Sequence, residues 1–300
     1  MTDLLRISEL PELRDPHLVI GLAGWTNAAD VSTGSVTYLK DQLKARKFGD
    51  MDHEPFTKYT SSRPTAAIEN GRVRRLAYPK NDFYYWSNPD KPHDLVLFIG
   101  TEPDLMWPTF TKTLLDLAVQ LGVSRICAVG GYYDSVAHTG DVLCSGTATD
   151  EAIRQQLQQM GVGLSTYFGP TGMLTALLWE AQQRNIPAVS IWGRAPHYIQ
   201  VANPNVWHQV LWRVGHLCNV PVDTLPLMRR GQELNQRVSA SLKDNPQLRE
   251  HVAQLEANAP AAGPQMPQAP GTTGPLEKDD VLRSVEEFLR GNQDPPVGGP

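Results

Sequence analysis

Three features of the sequence predict an α/β fold built on a parallel sheet. Short apolar runs closed by glycine recur, as in His17-Leu18-Val19-Ile20-Gly21-Leu22-Ala23-Gly24 and Asp94-Leu95-Val96-Leu97-Phe98-Ile99-Gly100. Runs this short and continuous read as buried strands. Segments with helical periodicity alternate with them, the pattern of βα units. The third feature is the stretch from Tyr167 to Tyr198. It passes from a strand end through Gly169-Pro170-Thr171-Gly172 into an apolar helix, then into the strand Ala188-Val189-Ser190-Ile191-Trp192-Gly193. Glycine-bearing turns at strand carboxyl ends are where open α/β sheets place their ligand crevices.

Bulk composition narrows the partners. The 300 residues suffice for one large α/β domain or two smaller ones, and 41% apolar with 20% charged residues is ordinary for a globular chain. A net charge of −5 leaves no basic excess to displace counterions, so no nucleic-acid partner is expected. The basic run Arg72-Val73-Arg74-Arg75 reads as a solvated strand face. Cys127, Cys144 and Cys218 are odd in number and lack a C-x-x-C spacing, which suits a reducing cytosol without disulfides or a structural zinc site. The N-terminal residues contain no apolar signal core, and no apolar run approaches the roughly 18 residues of a spanning helix. A cytoplasmic chain that does not cross a membrane is expected.

In chain order, residues 1–16 are a polar lead-in and His17 to Gly24 the first core strand. Trp25 to Asp30 form its loop, and a helix with Val36, Leu39 and Leu43 on one face starts at Asp30 or Ser32, either able to cap it. Asn70-Gly71 predicts a hairpin turn, since both central residues need positive φ, and Phe83 to Trp86 a further strand. After the strand closed by Gly100 come a helix with Phe110, Leu114 and Leu117, a strand over 123–129, a helix over 150–160 and a strand over 163–168. Asn203-Pro204 then starts a helix with an asparagine cap and proline in the first turn.

The sequence divides into an α/β domain over 1–222, a helical hairpin over 223–256, a flexible Ala/Pro/Gly/Gln linker over 257–275, and a C-terminal helix and tail over 276–300. The hairpin carries a sparse stripe of Leu225, Met228, Leu234, Val238 and Leu242. It is expected to project from the sheet domain and to need a partner, from this chain or another.

Five strand ends finish in glycine followed by polar residues, and parallel strands would bring all five loops to one rim. That rim offers Asn27, Asp30, Thr101, Glu102, Asp104, Asp134, His138, Gly169, Thr171, Gly172, Arg194 and His197 for acid–base chemistry or ligand binding. Each also has a plainer use. Asp30 and Asp104 suit helix caps, Glu102 suits a turn, and His138 and His197 suit bonds to loop backbone. The Gly169–Gly172 turn can cradle an anion at a helix N-terminus, but it lacks the P-loop lysine and the dinucleotide glycine spacing. No nucleophile elbow, metal-ligand spacing or cofactor motif stands out, so neither metal nor cofactor is expected.

Several segments, in order, resemble the PAC2 family, named for proteasome assembly chaperone 2. They are Gly21-Leu22-Ala23-Gly24-Trp25-Thr26-Asn27-Ala28, Phe98-Ile99-Gly100-Thr101-Glu102-Pro103-Asp104-Leu105, Val129-Gly130-Gly131-Tyr132-Tyr133-Asp134, Gly169-Pro170-Thr171-Gly172 and Ala188 to Tyr198. The resemblance spans roughly 17–220 and is to the bacterial branch. It implies a three-layer α/β/α sandwich similar to the phosphorylase/hydrolase-like fold, assembled as a homo-oligomer, and it brings no agreed catalytic residues. The leading expectation is a non-enzymatic assembly-chaperone-like or interaction protein. The alternative is a small-molecule enzyme of hydrolase or phosphorylase type, acting at the rim on a nucleoside or phosphorylated substrate. A third reading leaves the function to the helical hairpin alone.

Overall fold

A computed structural model describes residues 4–87, 90–243 and 245–258. The strands are β1 (Leu5–Ile7), β2 (His17–Ala23), β3 (Arg46–Met51), β4 (Thr65–Glu69), β5 (Arg72–Ala77), β6 (Asp82–Trp86), β7 (Leu95–Thr101), β8 (Arg125–Asp134), β9 (Cys144–Ala148), β10 (Gly163–Leu164) and β11 (Ala188–Pro196). The helices are α1 (Val31–Leu43), α2 (Trp107–Gln120), α3 (Glu151–Gln159), α4 (Met173–Gln183), α5 (Pro204–Cys218), α6 (Leu225–Ser241) and α7 (Pro246–Ala257). Among the described residues one nine-stranded sheet runs β1-β3-β6-β7-β2-β8-β11-β9-β10, and β4 and β5 form a separate ribbon. Its centre, β7-β2-β8-β11, is parallel, while β6 and β9 flank it antiparallel.

Alternation along β2 explains the three layers. Leu18, Ile20 and Leu22 point to one face, where they meet Phe98 of β7 and the apolar sides of α2 and α4 (Phe110, Leu114, Leu174, Leu177). Val19 points to the other, with Val129, Val189, α1 (Val36, Leu39) and α5 (Val206, Val210, Val214). Helices cover both faces, as a parallel core requires. The chain is an α/β/α sandwich.

Several boundaries move, each for a pairing reason. The strand expected over 123–129 continues to Asp134, and the one expected to stop at Gly193 continues to Pro196. These extensions pair with each other, from Gly130–Trp192 to Asp134–Pro196. The strand expected over 163–168 shrinks to Gly163–Leu164, which pairs with β9. Nothing predicted β9 itself, since Cys144-Ser145-Gly146-Thr147-Ala148 shows no apolar alternation. Because β9 opposes β11, β10 runs against the central strands, and the Gly169–Gly172 loop does not leave a parallel strand end. The Asn70-Gly71 turn is present, with φ of 50° and 73°.

The helical hairpin folds back onto the body instead of projecting. The buried positions of α6 are Leu227, Gly231, Leu234 and Val238, whereas Leu225 is exposed. Leu234 and Val238 join Leu248 and Val252 of α7 against Tyr198 and Ile199 just past β11. The stripe finds its partner within this chain. Apart from residues 257 and 258, the expected linker and C-terminal helix lie outside the described residues.

Gly231 shows how tightly the hairpin seats. A Cβ there would stand 2.6–2.7 Å from the Cβ, Cα and N of Asn205. Gly231→Ala is therefore expected to cost about 1–3 kcal/mol through overpacking, although glycine to alanine in an open helix stabilises by about 1 kcal/mol. Urea unfolding of the two proteins measures the sign.

Candidate functional site

The chain builds its rim from the Glu102 carboxylate outward. Oε2 accepts the Trp25 N–H at 2.9 Å, and Oε1 accepts the Met173 N–H at 2.8 Å, the first amide of α4. The Glu102 N–H in turn donates to the Ala23 carbonyl at 2.8 Å. One carboxylate thus joins the loops after β2 and β7 to the start of α4, where its negative charge complements the positive end of the helix dipole. Gly172 has to be a glycine here, since a Cβ would lie 2.8 Å from Thr26 Cγ2 and 3.2 Å from Glu102 Oε1. The turn read as an anion cradle already holds an anion, one belonging to the chain itself.

The neighbouring turn is knotted as well. Ala29 and Asp30 both stand in the left-handed region, at φ 51° and 53°. Asp30 makes no side-chain cap bond, because that backbone directs its carboxylate to Asn27, whose Nδ2 donates to Oδ1 at 3.3 Å. Burial pushes the Asp30 carboxyl above its ordinary value, and the Asn27 bond opposes the shift. Asn27 is the residue that ties down the start of α1: its Oδ1 accepts the Thr33 N–H at 2.9 Å. Ser32, the other expected cap, is buried, accepting the Leu22 N–H and donating to the Val129 carbonyl.

Asp104 caps no helix either. Its carboxylate accepts the Lys58 N–H at 2.8 Å and the hydroxyls of Ser61 and Ser62 at 3.0 and 2.9 Å, pinning the loop before β4. Burial works against this carboxyl, but those hydrogen bonds hold it below its ordinary value. Thr101 contributes its N–H, donated to Asn81 Oδ1 at 3.0 Å. Thr171 bonds only locally, donating to the Gly172 carbonyl at 3.4 Å, and Gly169 lies under the Tyr167 hydroxyl, which donates to the Pro170 carbonyl.

A second group forms where β8 and β11 end. Arg194 Nε donates to Asp134 Oδ2 at 2.5 Å, with the Arg194 side chain only 6% exposed. His197 approaches the Asp134 carbonyl through its N–H and Nδ1, both at 3.1 Å, and its Nε2 lies 3.1 Å from His251 Nε2 on α7. His138 is buried. Its Nδ1 lies 2.7 Å from the Tyr198 hydroxyl, which also accepts the His138 N–H, and its Nε2 lies 2.9 Å from Ser239 Oγ on α6. His138 bonds side chains, not the loop backbone expected for it. Burial lowers its pKa, with Glu256 opposing.

The twelve rim positions thus fall into separate sets. Glu102, Thr101 and the 169–172 turn meet; Asn27 meets Asp30; Asp134, Arg194, His197 and His138 lie beneath the hairpin; Asp104 faces residues 58–62. The cleft beside Arg194 and His138 measures about 10 Å³, barely one water molecule, whereas small-molecule sites run to hundreds of Å³. A wider groove of about 380 Å³ lies between the β4–β5 ribbon and the sheet, lined by Arg6, Lys47, Asp50, Asp52, Arg75 and Asp82. Within it Lys47 pairs with Asp50 and Asp82, and Arg6 with Asp50 and Asp52. None of the twelve positions lines it.

Sequence reasoning also missed the apolar side chains that the same loops expose. Trp25, Leu105 and Met106 are about half exposed, and Phe168 is fully so. Trp25 packs over Gly172, beside the Glu102 carboxylate. The signal was present in Gly24-Trp25 and Tyr167-Phe168, large apolar residues in loops where polar ones are usual. His251 and Ser239 carried no sequence signal, because only the return of the hairpin brings them to His197 and His138.

Two outcomes follow. Glu102→Ala removes a charged acceptor from two backbone amides and is expected to cost about 1–3 kcal/mol, measured by chemical unfolding. For His138, the folded state holds the proton less tightly than the unfolded chain does. Its contribution is fully present above the ordinary histidine value of 6.5 and is lost as pH falls below it. The melting temperature is expected to drop below pH 6.5, with a shallower slope in His138→Gln.

Comparison with known proteins places this geometry. The family model described as PAC2 family matches residues 21–242. No curated protein matches the chain. A PAC2 family protein from Streptomyces avermitilis is 28% identical, with a TM-score of 0.70 over 80% of this chain and 99% of its own. A proteasome-assembly chaperone homologue of Mycobacterium tuberculosis is 27% identical, with a TM-score of 0.71 over 79% and 99%. The archaeal proteasome activator PbaB of Pyrococcus furiosus, 21% identical with a TM-score of 0.64 over 79% and 97%, shares the fold. The family match spans most of the chain and both rim groups, and the protein belongs to the PAC2 family.

Proposed function

We propose that this chain is a non-enzymatic, assembly-chaperone-like protein of the cytoplasm that acts through protein contacts and associates with copies of itself. The observation that carries this reading is the state of the rim. Its polar groups are engaged with one another, while Trp25, Leu105, Met106 and Phe168 stand out to solvent on loops joined by Glu102. Apolar side chains held outward on a rigid base are the mark of a protein-binding face. Support also comes from the relatives, which include a proteasome-assembly chaperone homologue and a proteasome activator. The free, buried cysteines suit a reducing compartment. The cleft beside Arg194 and His138, at about 10 Å³, gives the enzyme reading little room.

Light scattering on the full chain and on the double variant Trp25→Ser, Phe168→Ser tests the proposal. A defined oligomer is expected for the natural chain, with the variant shifted toward monomer or, at unchanged mass, unable to retard purified proteasome α-subunits that the natural chain binds. A strictly monomeric chain that binds no such subunit, and whose melting temperature rises with a nucleoside or phosphate, sinks it.

A further inference from the structure

At the opposite end of the sheet, where the central strands begin, three side chains meet. Asp15, His17 and His93 each bring one ligand atom into a group whose members lie within 4.8 Å of one another. The backbone makes this meeting obligatory. The Arg14 N–H donates to Asp94 Oδ2 at 2.6 Å, the Asp94 N–H to the Arg14 carbonyl at 3.0 Å, and the His17 N–H to the Asp94 carbonyl at 2.9 Å. These bonds lock the entry of β2 against the entry of β7 and hold residues 15 and 17 beside residue 93. The His17 and His93 rings stack at 4.2 Å between centroids, and His93 Nδ1 lies 2.7 Å from Asp15 Oδ2.

His17 is the unusual member. It is only 4% exposed, and its Nδ1 is buried without a hydrogen-bond partner. A neutral imidazole needs one donor and one acceptor satisfied, so an idle buried nitrogen asks for an explanation. Elsewhere around the ring the surroundings are closed. Cys218 lies against it, and Arg125, opposite His17 on β8, is tied to the Leu217 carbonyl at 2.6 Å. Asp15 is the exposed member and forms the solvent side of the group.

We propose that Asp15, His17 and His93 form a binding site for a divalent transition-metal ion of the zinc class. Two imidazole nitrogens and one carboxylate oxygen match such an ion, whereas magnesium and calcium ask for oxygen ligands throughout. Metal–ligand bonds of 2.0–2.2 Å place ligand atoms roughly 3.4 Å apart in a tetrahedron. The three ligand atoms lie within 4.8 Å of one another, so binding asks for a contraction of up to about 1.4 Å, in which the exposed Asp15 side chain turns out of its 2.7 Å contact with His93. Three protein ligands leave a fourth position for water or for a donor from a partner. The spacing rules missed this site because His93 comes from a different strand entry.

Calorimetry with zinc chloride on the full, metal-stripped chain tests the proposal, alongside His93→Gln, Asp15→Asn and His251→Gln. The last removes the other close histidine pair and serves as the control. One zinc per chain is expected in the natural protein and in His251→Gln. His93→Gln and Asp15→Asn are expected to lose at least about tenfold in affinity, together with the zinc-dependent rise in melting temperature. Asp15 is exposed, so Asp15→Asn keeps the test open if His93→Gln fails to fold. No stoichiometric binding by the natural chain, undiminished binding in Asp15→Asn, or loss of binding in His251→Gln would each overturn the assignment.

Discussion

The architecture rests on the parallel pairing of β8 with β11, carried past the glycines of both strands. Gly130 and Gly131 face Trp192 and Gly193 in register, and the pairing does not stop until Asp134 meets Pro196. The extra residues place Asp134 and Arg194 together in the interior, as an ion pair at 2.5 Å. Losing one partner of such a pair typically costs about 3–5 kcal/mol, because the other charge is then buried alone. From this platform the chain turns at His197, Tyr198 and Ile199, and those residues receive the helical hairpin. A shorter β11 would withdraw the residues against which Leu234, Val238, Leu248 and Val252 pack.

The rim shows how a sheet topology suited to ligands can be turned to another use. Parallel strands deliver polar loops to one end, and in many α/β proteins those loops line a pocket. Here the polar atoms are spent on one another. Glu102 satisfies the first amide of α4, Asn27 ties down α1, and Asp104 pins a loop. The same loops also hold Trp25, Leu105, Met106 and Phe168 out to solvent, and they are braced from below. A rigid surface loses little conformational entropy on association, which favours protein contact.

Beneath the hairpin the polar contacts are of a different kind. His138, Tyr198 and Ser239 form a chain of hydrogen bonds from the sheet to α6, and His197 meets His251 of α7. Asn235 Nδ2 adds a bond to the His138 carbonyl, and Thr139 one to Glu256. An apolar seam around Leu234 and Val238 supplies burial, while these directional bonds set the angle at which the hairpin lies.

Much of the fold was legible locally. The apolar runs of β2 and β7, the Asn70-Gly71 turn and the Asn203 cap declare themselves within a few residues, since each depends on side-chain size, on φ or on one nearby acceptor. β9 was not legible, because its small residues gain strand geometry only from the edge of β11. The site was legible only as a set of positions. Glu102, Asp134, Arg194 and His138 were all in view, yet their partners lie 71, 60, 60 and 101 residues away in Met173, Arg194, Asp134 and Ser239. The sequence by itself determined the alternation of strands and helices, the layers that follow from it and the family. Tertiary structure alone decided that the rim closes on itself, that the hairpin docks on its own body, and that Asp15 and His17 meet His93. Hydrophobic period is written along the chain, whereas which donor meets which acceptor depends on strand order, and strand order is set only when the whole sheet assembles.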